Sequence, residues 1–337
     1  MTEELLGKAF EDDKRRAGAA VALTALAESV TEIVPIHRGN RKQTAVARFA
    51  QRDPVVVQVS DEATWLQTEA TLLAEIRNRT SVPVPPVLTS GCHDNVAYML
   101  TAYIDGADLH ERLTVFDSAI QRELAQSLGT SLAHLHEAFQ FDGYGTLETT
   151  SKTLTPRRDD WATWFREYGH RAVKRLPPVF DPLRSELREL VADSPVESSP
   201  PARLYPWDFR PGNALVAEKS IAAIVDWEAP LAAPASLSVA KAEYLIADWY
   251  VPEPEPIRDA FKTGYESVRP YPSVPTAYRV AAIADSAVDS TGTVTNPQYP
   301  ELEHDDAVAF HRRALEAAVE NDPPSSSKPN SHDTRRP

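Results

Sequence analysis

The sequence predicts an α+β chain of two lobes, a small antiparallel β-sheet lobe followed by a larger, mainly helical one. Strand-like apolar runs crowd into the first hundred residues, at 44–49, 55–59 and 96–102, around one long helix over 61–79. Beyond residue 103 the apolar positions recur mostly at helical spacing. With 337 residues and 42% hydrophobic side chains, the chain has enough apolar material for two lobes and a deep cleft.

Taken in order, Lys14-Arg15-Arg16 before the alanine-rich stretch 17–27 has the outline of a twin-arginine export signal. The stretch is too weakly apolar, and Glu3, Glu4, Glu11, Asp12 and Asp13 precede it, so it reads as a leading helix. Gly39-Asn40 marks a hairpin turn before the strand at 44–49. Residues 55–59 form a buried strand. The helix over 61–79 gathers Trp65, Leu66, Leu72, Leu73 and Ile76 on one face, and prolines stiffen 82–88. Gly91-Cys92-His93-Asp94 is expected as an exposed turn, and the strand 96–102 runs into Tyr103-Ile104-Asp105-Gly106.

In the second part, 124–138 is a helix with Leu124, Leu128, Leu132 and Leu135 on its core face. Asp159-Asp160 caps a helix reaching about residue 176, whose stripe Trp161, Trp164, Phe165 and Tyr168 is read as core packing. Helices over 181–191, 236–250, 257–268, 276–288 and 305–319 complete the lobe, with a Pro- and Ser-rich loop at 194–201. Asp285, Asp289 and Glu303 are read as solvated surface acids, the alternative being acids that meet a polyamine-like acceptor. Beyond residue 320 the Pro- and Ser-rich tail cannot bury a core. The expected units are residues 1–103, 104–320 and a disordered 321–337.

The net charge of −14 argues against nucleic-acid and anionic-membrane partners, which need clustered Lys and Arg. A single cysteine, Cys92, excludes an internal disulfide and a cysteine-rich metal site. No segment has the length and apolarity of a membrane span. The expected compartment is the cytoplasm.

The chemistry concentrates in the run 205–228, YPWDFRPGNALVAEKSIAAIVDWE. Asp208 is followed five positions on by Asn213, then by an apolar stretch that ends in Asp226. Phosphoryl transfer to a hydroxyl needs a carboxylate to accept the proton, and an amide and a second carboxylate to hold magnesium. Pro211-Gly212 forces a turn, and the apolar runs 214–216 and 221–225 form a hairpin about a polar turn. That hairpin would bring Asn213 and Asp226 to one hard cation.

In these residues the chain resembles the aminoglycoside phosphotransferase and choline kinase-like superfamily of small-molecule kinases, over roughly residues 21–320. Members carry His-Gly-Asp, Asn and then Ile-Asp-Trp-Glu or close to it. Here the Asp, the Asn and Asp226-Trp227-Glu228 match, while Pro206-Trp207 replaces His-Gly. The resemblance implies a protein-kinase-like fold with a five-stranded small lobe. It also implies ATP and Mg2+ as cofactors, Asp208 as proton acceptor, Asn213 and Asp226 as metal ligands, and a small-molecule alcohol as acceptor. It further implies that Ala102 and Ile104 hold adenine through their backbone, that Gly39 lies near the phosphates, and that Leu135-His136 matches the family's Leu-His pair.

One departure concerns charge. Such kinases carry a third-strand lysine that neutralises phosphates and pairs with a helix glutamate. The matching positions are Gln58 and Glu69, and no lysine occurs between Gln43 and Ser151. Arg41, Lys42 and Arg48 are the nearest cations. Arg48 is expected to approach Glu69 or the phosphates from the neighbouring strand. The resulting expectation is an ATP- and magnesium-dependent phosphotransferase; the alternative is a catalytically impaired kinase-fold protein acting as a binding or regulatory module.

Overall fold

Strand alternation sorts the side chains of the amino-terminal sheet between a core and a cleft. The computed structural model describes residues 2–10, 12–36, 41–193 and 197–320. Gly39 and the tail expected over 321–337 lie outside the described residues, as does part of the loop at 194–201.

Helices α1 (Thr2–Leu6) and α2 (Asp13–Thr24) lead in, and the Asp12 side chain caps α2 by accepting the Arg15 N–H at 2.9 Å. Then come β1 (Val30–Ile36), β2 (Gln43–Phe49), β3 (Val55–Ser60), α3 (Ala63–Arg79), β4 (Val87–His93) and β5 (Val96–Ala102). The strands form one antiparallel sheet in the order β1-β2-β3-β5-β4. Cys92 and His93 end strand β4 instead of lying in a turn. The turn falls on Asp94-Asn95, with φ of 48° and 67°, a conformation these short polar residues tolerate.

Val55, Val57 and Val59 pack with Ala45, Ala47 and Leu100 against Ala19, Ala22 and Leu23 of α2 and against Phe10 in the link before it. The alternate residues Val56 and Gln58 therefore face the cleft. On that side α3 packs Leu66, Leu72, Leu73 and Ile76 into the core of the larger lobe. This packing carries Glu69, on the same helix, into the cleft.

The second part continues with β6 (Ala107–Asp108), α4 (Leu109–Arg112), α5 (Ser118–Ala138), β7 (Gln140–Phe141), β8 (Tyr144–Thr150), β9 (Thr153–Arg158), α6 (Trp161–Arg175) and α7 (Asp181–Asp193). It ends with β10 (Ala202–Tyr205), β11 (Ala214–Ala217), β12 (Ser220–Ile224), β13 (Leu231–Pro234), α8 (Ala235–Glu243), α9 (Glu255–Glu266), α10 (Thr276–Ser286) and α11 (His304–Glu320). Within this mainly helical part lies a second five-stranded sheet, β7-β10-β13-β8-β9, in addition to the hairpin that the sequence displays. Its outer strand β9 is largely exposed and threonine- and arginine-rich, so it has no apolar alternation to announce it. The aromatic stripe of α6 does enter the core, and Asp160 caps that helix through the Thr163 N–H at 2.7 Å. Among the described residues no helix is long and apolar enough to cross a membrane.

Helices α5 and α9 touch backbone to backbone because each presents a glycine at the crossing. A Cβ on Gly129 would stand 2.0 Å from the Phe261 carbonyl oxygen, and one on Gly264 would stand 2.0 Å from that of Gln126. Neither neighbour is a side chain that can turn away. Gly129→Ala should therefore destabilise the fold by about 1–3 kcal/mol or more through forced helix separation, measurable by chemical denaturation. Unchanged stability would show that the helices do not approach this closely.

Two histidines are buried. His136 bonds Tyr265 Oη at 2.7 Å and Ser238 Oγ at 3.1 Å, and burial, then Arg269 and Arg203, push its pKa down to about 3. Burial lowers His311 to about 4. An unfolded histidine takes its proton near 6.5, so on acidification the unfolded state binds protons first and stability falls. The thermal midpoint should drop from about pH 7 to about pH 5, and the slope should flatten in the double variant His136→Gln/His311→Gln. Equal slopes in the two proteins would exclude these histidines as the source.

Candidate active site

The hairpin β11–β12 places the two ends of the 205–228 run side by side. Ala214 pairs with Ile224, and the Val225 N–H donates to the Asn213 carbonyl at 2.8 Å, so Asp226 leaves the hairpin next to Asn213. Asp226 takes a left-handed backbone with φ of 63°, and the Trp227 N–H then reaches Glu69 Oε1 at 3.3 Å. A short 3-10 turn, Pro211–Asn213, aims the Asn213 amide back at Asp208. Its Nδ2 donates to both the carbonyl and Oδ2 of Asp208, at 2.9 Å each. Arg210 Nε donates to the same carboxylate at 2.9 Å. Asp208, Asn213 and Asp226 thus meet in one cleft of about 1570 Å³, which also receives Glu69, Gln58, Ala102 and Ile104.

Lys42 is the cation that reaches Glu69. Its Nζ donates to Glu69 Oε2 at 2.9 Å and Oε1 at 3.1 Å, and to Asp226 Oδ1 at 2.8 Å. Burial opposes the Lys42 charge, but the two carboxylates outweigh it and raise its pKa, so the ammonium stays protonated. The register explains the placement. Thr44 stands opposite Gln58, and Lys42, two residues earlier, keeps the same cleft-facing parity one strand over. Gln58 does line the cleft, and Lys42 stands just before the start of the neighbouring strand β2.

Arg48 does not do this, contrary to expectation. It shares the parity of Thr44 but lies four residues further on, about 13 Å at strand rise, and pairs with Glu32 across β1 at 3.4 Å. The sequence carried the signal for Lys42, since parity with Thr44 is legible. What it lacked was the distance from each cation to Glu69.

The Ala102 N–H donates to the Pro86 carbonyl at 2.9 Å. Opposed residues of such a pair exchange two bonds, yet proline has no N–H to return. The Ala102 carbonyl is therefore left without a ladder donor at the cleft edge, beside Tyr103 and Ile104.

A third group of charges sits one residue from Asp208. Asp285, expected as a solvated acid, is 7% exposed. Its carboxylate accepts from Lys241 Nζ at 2.6 Å, Trp207 Nε1 at 2.8 Å, Arg175 at 2.9 Å and the Tyr168 hydroxyl at 3.0 Å. Burial works against the charged carboxylate, but Lys241 and Arg175 prevail and hold its pKa below the usual range. Sequence reasoning missed this group because its members come from four separate segments.

The donor set suits magnesium better than a caged metal. Among the described residues no three His, Cys, Asp or Glu side chains gather into a metal site of their own. Magnesium is commonly held by one or two carboxylates while phosphates and water supply the rest. With Nδ2 committed to Asp208, Asn213 keeps its Oδ1 as an acceptor, and Asp226 keeps a second oxygen beyond the one facing Lys42.

The model of the phosphotransferase enzyme family matches residues 35–279. No curated protein matches the sequence. Among solved structures, aminoglycoside phosphotransferase APH(4)-Ia superposes with a TM-score of 0.62 at 15% identity, covering 90% of this chain and 98% of that one. A thermostable mutant of it, crystallised as a ternary complex with ADP and hygromycin B, gives 0.62 at 14%, covering 90% and 97%. A protein from Thermobifida fusca YX-ER1 described as a fructosamine-3-kinase gives 0.56 at 18%, covering 90% and 98%. The fold is the kinase-like one these proteins share.

Proposed function

The chain belongs to the phosphotransferase enzyme family, and from that premise we propose that it transfers the γ-phosphate of ATP, with Mg2+, to the hydroxyl of a small molecule. The observation that carries the reading is the Lys42–Glu69–Asp226 cluster facing Asp208 and Asn213 across one cleft. Asn213 Oδ1 and Asp226 would hold the magnesium, which when bound offsets phosphate charge. Lys42 supplies a fixed positive charge beside it. The Ala102 carbonyl and the backbone N–H of Ile104 suit the donor and acceptor of an adenine edge.

Asp208 takes the proton of the acceptor hydroxyl as its oxygen bonds to the γ-phosphorus. The bond from that phosphorus to the β-γ bridging oxygen breaks, and ADP departs with the electron pair. Arg210 and Asn213 hold the Asp208 carboxylate in place for this. Most of the work is positioning and charge neutralisation. The alternative of a non-catalytic binding module rested on Gln58 and on Pro206-Trp207 in place of His-Gly; the bonds of Lys42 to Glu69 and Asp226 favour the catalytic reading.

ATP with Mg2+ should raise the thermal midpoint more than ATP alone, and Asp226→Ala should remove the magnesium-dependent part. No ATP effect in the unaltered protein would sink the reading.

A further inference from the structure

Resting on the kinase reading, the geometry points to an acceptor that carries an anionic group, a carboxylate or a phosphate monoester, set against Arg171, Arg175 and Lys241 beside Trp207. The acceptor has to reach Asp208, and the wall beginning at the adjacent Trp207 is cationic in effect. Four residues of α6, Trp164, Tyr168, Arg171 and Arg175, line the cleft at helical spacing and so form one face. Its first two rings stack on each other at 5.1 Å, leaving the two arginines to extend the face.

The acid at the centre of this wall, Asp285, is already engaged. Asp285 receives two cations and two neutral donors, so its single charge is more than balanced. Asp289 folds onto its own loop, accepting the Thr291 and Thr293 N–H groups at 2.8 and 3.0 Å. One face of Trp207 already carries a cation, since Lys241 Nζ lies 4.0 Å from the ring centroid. Lys241 and Arg175 each keep donors beyond those given to Asp285, and Arg171 is exposed at the cleft wall. A polycation would meet like charge here, whereas a carboxylate or phosphate would meet fork-shaped donors that match it.

A matched set on one six-carbon skeleton tests this. D-glucose is neutral, D-glucosamine cationic, D-gluconate a carboxylate and glucose 6-phosphate a phosphate ester. Binding of each to the full chain is measured by calorimetry with and without Mg2+ and a non-hydrolysable ATP analogue, whose own binding is recorded separately. Gluconate or glucose 6-phosphate, or both, should bind roughly tenfold or more tightly than glucose, with glucosamine weakest. Whichever anion leads identifies the group.

The variant Arg171→Gln/Arg175→Gln should lose that preference with nucleotide affinity unchanged; Lys241→Met, more exposed to misfolding because Lys241 is buried, serves as a second probe. Anions that bind no better than glucosamine, or a preference that survives the double variant, overturn the proposal. If the nucleotide analogue itself fails to bind, the kinase reading falls instead.

Discussion

Replacing Lys42 by Met should lower kcat/KM for ATP by roughly 10²–10³, the usual effect of removing one fixed charge that stabilises a transition state. Lys42 is the cation joining Glu69 of α3 to Asp226 at the end of the β11–β12 hairpin, so both the proposed phosphate neutralisation and the tie between helix and hairpin would be lost with it. The same substitution leaves the buried Glu69 without its cation, and stability should fall by about 3–5 kcal/mol. Fold loss and charge loss must therefore be separated. Lys42→Met/Glu69→Gln should recover stability without recovering turnover. Gln58 faces the cleft two residues along in register, so Lys42→Met/Gln58→Lys should regain part of the activity. Arg48→Met should change neither quantity. Full turnover in a folded Lys42→Met protein would remove Lys42 from the reaction.

Asp208→Asn should cost roughly 10²–10⁴ in kcat while ATP affinity holds, since a general base acts in the transition state and not in nucleotide binding. The fold should tolerate the change. Arg210 Nε and Asn213 Nδ2 both donate to one carboxylate oxygen, and the amide oxygen of asparagine can occupy that position. What disappears is the site that receives the proton. Coupled ADP release gives kcat, and equilibrium titration gives the nucleotide Kd. A variant that turns over normally would refute the assignment of Asp208.

Much of this was legible in the chain itself. The spacing of Asp208, Asn213 and Asp226 about Pro211-Gly212 encodes a hairpin, and local turn chemistry suffices to bring its ends together. Apolar parity fixes that Gln58 faces the cleft, and helical spacing fixes that the stripe from Trp161 to Tyr168 is largely buried. These are short-range consequences of periods of two and 3.6, which a sequence displays directly.

The rest depended on contacts between distant segments. Lys42 and Arg48 have equal parity and equal charge, and only the packing of α3 against the sheet shows which of them meets Glu69. Asp285 reads as one more surface acid of an acidic chain until α6, α8 and the turn at Trp207 after β10 converge on it. The sequence by itself determined that Asn213 and Asp226 meet at the ends of one hairpin, with Asp208 close by, and which face of its own element each periodic residue occupies. The tertiary structure alone decided which charges neutralise one another, because Coulomb attraction depends on separation in space and desolvation, and neither is a function of position along the chain.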